Sequence, residues 1–146
     1  MAGDKFIESN YEKALIALFQ ELGYTYECGY DVERDYREPF YREVLEASLK
    51  RLNKGASADI LAEGLKMVTN LNEGTLIQDN RRFTEMLQNG FAVPYLENGE
   101  NRTATLRLVD FEQPLANDFR IVNQWSVEEL GKIRCDMVVM INGLPL

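Results

Sequence analysis

The period of the apolar residues changes once along this chain, at Gly90, and that change limits the fold more than any other feature. Before Gly90 apolar side chains recur at helical spacing; after it they alternate or run together as strands do. A chain with its helices in the first half and its strands in the second buries a sheet against helices, which predicts an α/β (α+β) layered fold. At 146 residues it has length for a single domain with a core that needs neither disulfide nor metal.

Local signals place the elements. Ser9-Asn10-Tyr11-Glu12 reads as a capping box opening a first helix, with Tyr11, Leu15, Leu18, Phe19 and Leu22 on its apolar face and Gly23 closing it. Pro39 suits the first turn of a second helix, whose inward residues are Tyr41, Leu45, Leu49 and Leu52, ending at Asn53-Lys54-Gly55. Ser57 caps a third helix through Ile60, Leu61, Leu65 and Val68. Residues 72–75 open a fourth, with Leu76, Asn80, Phe83 and Leu87 on one face and Gly90 after it. Residues 91–93 and 106–109 read as strands on either side of Asn98-Gly99, with a connection too long for a two-residue hairpin. Residues 119–125 form another strand. Residues 137–141 are continuously apolar, the pattern of a strand buried on both faces, and Asn142-Gly143 is a strong hairpin signal. Leu144-Pro145-Leu146 begins a returning strand, so the sequence reads as a fragment cut at that strand.

Composition narrows the chemistry. There is no histidine, which removes Ser-His-Asp and Cys-His nucleophilic sites, His-ligated zinc and nucleases with a His base. Cys28 and Cys135 stand far apart outside any C-x-x-C and read as free buried thiols of a reducing compartment. No G-x-G-x-x-G or Walker A run occurs, which speaks against a phosphate-cradling small-molecule domain. With 16 Lys and Arg against 24 Asp and Glu, the net charge is −8, and so acidic a chain is a poor binder of nucleic acid by itself. No stretch approaches a membrane span and no signal-peptide core opens the sequence, so it predicts a soluble, cytoplasmic protein with no membrane partner. Carboxylates, lysine, tyrosine and a metal held by carboxylates are the chemistry that remains.

Four segments carry a resemblance. Tyr11-Glu12-Lys13-Ala14-Leu15-Ile16 is one, and Asn80-Arg81-Arg82-Phe83 another. The third runs from Leu108-Val109-Asp110-Phe111-Glu112 through Asn117-Asp118-Phe119 to Val122-Asn123-Gln124-Trp125. The fourth is Arg134-Cys135-Asp136 with Asn142-Gly143-Leu144-Pro145-Leu146. Together they resemble the N-terminal region of the restriction (R) subunit of type I restriction-modification enzymes, from about residue 5 onward and most specifically from Asp110 to Leu146. The resemblance implies a restriction-endonuclease-like core, a mixed central sheet flanked by helices, as the N-terminal part of a PD-(D/E)-x-K nuclease module. It further implies cleavage of duplex DNA with Mg²⁺ after ATP-driven translocation, in a complex with modification and specificity subunits. ATP would be bound by a motor domain outside this chain.

Residue by residue, the resemblance puts the first catalytic, Mg²⁺-binding aspartate at Asp136. The Glu-x-Lys that completes such a site falls on the strand after Leu146, so this chain alone is expected to be inactive. Glu12 lies where related nucleases carry a further metal-facing glutamate, although as the third residue of a capping box it also has a structural reading. Lys132 and Arg134 flank Asp136 and are the candidates for contact with the DNA backbone; Cys135 stands where the family usually has proline. Asn123 and Gln124 read as amides serving backbone groups or facing DNA, and Trp125 as packing. Arg81 and Arg82 read as a solvated helix face. Tyr24, Tyr26, Tyr30 and Tyr36 read as packing around loops rather than a stacking platform. The alternative to a nuclease is a non-catalytic nuclease-like scaffold that docks the motor or partner subunits.

Overall fold

Helix ends fix the element boundaries here, because each leaves backbone groups that a cap or a turn must satisfy. The computed structural model describes residues 2–71, 74–128, 131 and 133–146, with side chains from Ser9 onward. The first helix, α1, spans Ala2–Glu21, so Ser9 lies inside it and the expected capping box at Ser9 does not form. Residues 2–8 hold one glycine and no proline, and nothing stops the helix from continuing upstream. At its other end Gly23 takes φ +95°, as expected of a left-handed terminator. The Gly23 N–H donates to the Gln20 carbonyl and the Tyr24 N–H to the Phe19 carbonyl, both at 3.0 Å, the pair of bonds of a Schellman turn.

The chain forms two compact units, Met1–Arg42 with Asp118–Leu146, and Glu43–Asn117. The first unit is built on a mixed four-stranded sheet in the order β1-β4-β5-β6. β1 (Thr25–Cys28) pairs parallel with β4 (Phe119–Val127), which pairs antiparallel with β5 (Ile133–Ile141). β6 (Leu144–Pro145) returns through Asn142-Gly143, whose φ values of +53° and +82° are those of the expected two-residue turn. Asn142 is buried: its N–H donates to the Asp118 carbonyl and its Oδ1 accepts from the Asp118 N–H, both at 2.8 Å. Trp125, also buried, donates from Nε1 to the Pro39 carbonyl at 2.9 Å, with the Arg34 guanidinium 3.5 Å over its ring. Pro39 therefore lies before the second helix rather than in its first turn.

Two expectations about this unit are corrected. The side chains of α1 turned toward the fold are Glu12, Ile16 and Phe19, whereas Tyr11, Leu15, Leu18 and Leu22 are exposed. Apolar residues cover more than one stripe of this helix. Its rotation is set by the Schellman turn and by Tyr24, whose ring lies between Phe19 and Phe119. Residues 137–141 are half-buried except for the enclosed Met140, not covered on both faces. β6 pairs with Met140 and Ile141, and the Leu146 N–H donates to the Val139 carbonyl at 3.0 Å.

The second unit holds most of α2 (Arg42–Leu52), then α3 (Ala58–Thr69), α4 (Leu76–Asn89), β2 (Phe91–Glu97) and β3 (Glu100–Leu106). Ser57 caps α3 by accepting from the Ile60 N–H at 3.3 Å. Thr75 and Gln78 form a capping box on α4. Leu45, Leu49, Leu52 and Val68 are buried as expected; on α4 it is Met86 that is buried, and Leu76 and Asn80 point to solvent. The β2–β3 connection is a two-residue hairpin after all, with Glu97 paired to Glu100 and left-handed Asn98 and Gly99 between them. The strands run on through polar, exposed residues that carry no apolar period, and β3 ends at Leu106, so residues 107–109 lie outside it. Among the described residues no helix is long and apolar enough to cross a membrane.

Candidate functional site

Strand alternation puts Arg134 and Asp136 on one face of β5. The β4–β5 ladder pairs Asn123 with Met137 and Trp125 with Cys135, which leaves Gln124 opposite Asp136. Gln124 is left-handed, φ +52°, within an otherwise extended strand. The turn that follows β1 packs directly against it. Gly29, just past that strand, is buried so tightly against β4 that a Cβ there would sit 2.5 Å from the Gln124 carbonyl oxygen and 2.6 Å from that of Asn123. Only glycine allows this approach.

α1 supplies the other wall. Glu12 Oε1 accepts from Asn123 Nδ2 at 3.0 Å, a bond joining residues 111 apart in the sequence. The Asn123 Oδ1 is buried with no partner among the described residues. Ser9, Glu12, Gln124, Arg134 and Asp136 thus line one open pocket of about 400 Å³, together with the apolar Tyr11, Leu15 and Met137. At its rim the Arg134 guanidinium donates to the Tyr30 hydroxyl and that hydroxyl to Gln124 Oε1, each at 3.4 Å. Beside it the Tyr26 hydroxyl is raised above its ordinary pKa, by burial first and then by the nearby Cys28.

The expected residues divide as follows. Asp136, Glu12 and Arg134 come together in this pocket, although the helix that presents Glu12 is not capped there. Lys132 lies outside the described residues. Cys135 and Cys28 are free half-buried thiols. Trp125 is packing, as read from the sequence, and Arg81 and Arg82 are exposed. Tyr24 packs between rings, while Tyr30 is 62% exposed at the pocket rim. Sequence reasoning missed Gly29 and the left-handed Gln124 it packs against; a glycine in a turn-rich stretch gives no sign of the strand it must lie against.

Chemically, the pocket offers two oxygen-donor carboxylates, an amide and a guanidinium. Among the described residues no group of three or more Asp, Glu, Cys or His gathers. Mg²⁺ commonly takes one or two carboxylates, with water and phosphate oxygens completing its octahedron, so the pair Glu12 and Asp136 fits as part of such a set.

Over residues 5–146 the sequence matches the family described as type I restriction enzyme R protein N terminus. It is 33% identical over 145 residues to a protein of Methanocaldococcus jannaschii named as the MjaIXP endonuclease subunit of a type I restriction enzyme, covering 92% of this chain. It is 30% identical over 149 residues to the type I restriction enzyme HindI endonuclease subunit of Haemophilus influenzae, covering 95% of this chain. The chain spans 14% of the length of each of these curated relatives.

Proposed function

This chain belongs to the type I restriction enzyme R protein N-terminus family, and on that premise we propose that it is the first part of a nuclease module that, in the whole subunit, cleaves duplex DNA. One observation carries the reading: Glu12 and Asp136, from opposite ends of the chain, line a single pocket with Arg134 beside them. Asp136 and Glu12 are the residues that would hold Mg²⁺. Bound there, the ion would polarise the scissile phosphate and lower the pKa of a water. Asn123 orients Glu12 through its amide. Arg134 offsets phosphate charge as DNA approaches, a role that Lys132 shares by resemblance. By the resemblance a Glu-x-Lys later in the subunit completes the set, and on this reading the 146 residues do not cleave by themselves. ATP-driven translocation by a later motor domain, assembly with modification and specificity subunits, and a cytoplasmic location belong to the same reading. The net charge of −8, unfavourable for contact with a polyanion, is compatible with one competitor, a nuclease-like scaffold that docks subunits without cutting.

Asp136→Ala and Glu12→Gln in the full-length subunit, assembled with its partners, separate the two. We expect Asp136→Ala to lower DNA cleavage by at least ~10²-fold. Glu12→Gln should lower it by about 10- to 100-fold. ATP hydrolysis is retained in both. Cleavage by both variants at the parental rate would overturn the nuclease reading in favour of the scaffold.

A further inference from the structure

Gln124 holds a backbone conformation that its own sequence does not request. At φ +52° it is the left-handed residue of β4, yet the ladder keeps its register on both sides of it. Strain of this kind in a non-glycine residue persists where the surroundings impose it, and it concentrates where a side chain has to be aimed. Here Gly29, with no Cβ to meet the Asn123 and Gln124 carbonyl oxygens, leaves the room that this conformation needs. Regular alternation would send the side chains of Asn123 and Gln124 to opposite faces of the sheet. Gln124 keeps the face of its cross-strand partner Asp136 and lines the pocket with it, and Asn123 nonetheless reaches Glu12 of that same pocket.

The amide is also oriented. An arginine only donates, so the chain of bonds runs from Arg134 to the Tyr30 oxygen and from the Tyr30 hydroxyl to Gln124 Oε1. The acceptor end of the Gln124 amide is thereby occupied. Its –NH₂ keeps two donors that no described residue engages. Together with the Arg134 guanidinium it makes a donor-only edge, the complement of an acceptor-only ligand. We infer that Gln124 is a substrate-positioning residue, whose amide N–H groups hold a non-bridging phosphate oxygen of a nucleic-acid strand brought up to Asp136. The inference rests on the nuclease reading above, in which a divalent cation offsets Glu12 on α1 and Asp136 on the strand beside Gln124.

The test compares Gln124→Gly, Gln124→Asn and Tyr30→Phe with Asp136→Ala, all in the full-length subunit within its complex. Glycine relieves the left-handed strain and removes the donors; asparagine tolerates the backbone but its amide falls a methylene short. We expect Gln124→Gly to leave the thermal unfolding midpoint unchanged or raised, and ATP hydrolysis and the Mg²⁺ requirement unchanged, while cleavage falls ~10- to 100-fold. Gln124→Asn should fall with it, and Tyr30→Phe, which only frees the amide to rotate, should fall less. A merely structural Gln124 gives the reverse, a Gln124→Gly subunit that cleaves at least as fast as its parent. That result, with Asp136→Ala inactive, overturns the inference and leaves the nuclease reading standing. Cleavage by Asp136→Ala as well overturns that reading itself. A lowered midpoint for Gln124→Gly would remove the strain on which the inference is built.

Discussion

Among the described residues the Asp35 carboxyl is held well below its ordinary value, and Arg37 is the main cause. Its Oδ1 accepts from the Arg37 backbone N–H and from Arg37 Nε, both at 3.0 Å, and its Oδ2 from Nη2 at 2.8 Å. These bonds favour the charged form and bring the carboxyl from an ordinary 3.8 down to about 2. A carboxyl depressed on folding stabilises the fold above its unfolded value, and that contribution is lost as pH falls from about 4 through about 2. The pair is exposed, so salt screens it and its contribution is small. Arg37→Ala should return the Asp35 midpoint toward 3.8, read by NMR titration of its side-chain carboxyl carbon. A midpoint that stays near 2 would assign the shift to something other than Arg37. At this same scale the sequence left Glu12 with two readings. The helix that runs past Ser9 removes the capping one, and the Asn123 amide supplies a partner that no local spacing could announce.

Two glycines flanking β1 separate what an element's sequence reveals from what its neighbours demand. Gly23 is legible, because a helix that ends needs a left-handed residue, and the space around it is empty. Gly29 is illegible, because it has no need of positive φ and is required only by backbone arriving from β4, far along the chain. Gly23→Ala should therefore cost about 1–2 kcal/mol of backbone strain. Gly29→Ala, with a Cβ forced against two carbonyl oxygens, should cost roughly 2–4 kcal/mol. Urea midpoints of the two variants test the order, and a Gly23→Ala loss larger than that of Gly29→Ala would contradict the packing described at β4. The two Asn-Gly turns make the same division. Asn142-Gly143 follows an apolar run and was readable; Asn98-Gly99 joins the polar ends of β2 and β3, where hydrophobic alternation fades before the strands do.

For the molecule as a whole, periodicity reveals the halves and not the sheet. The parallel pairing of β1 with β4 requires a crossover, and here that connection contains the entire unit Glu43–Asn117, an arrangement no local pattern encodes. The meeting of Glu12 with Asp136 follows from that pairing, which is why resemblance to a family pointed to both residues and composition to neither. Charge, by contrast, is a property of the whole that the sequence states outright. At −8 the chain repels a polyanion, and the donor edge of Arg134 and Gln124 is too small to reverse that. The 146-residue chain, its helical circular dichroism checked first, should bind duplex DNA at physiological salt no more tightly than ~10⁻⁴ M, the weak end of non-specific binding. Fluorescence anisotropy across a salt series reads this directly. Micromolar affinity that falls steeply with salt would reveal a basic footprint that the net charge conceals. Delivery of DNA to Asp136 would then belong to this chain, whereas weak binding assigns it to the remainder of the subunit and its partners.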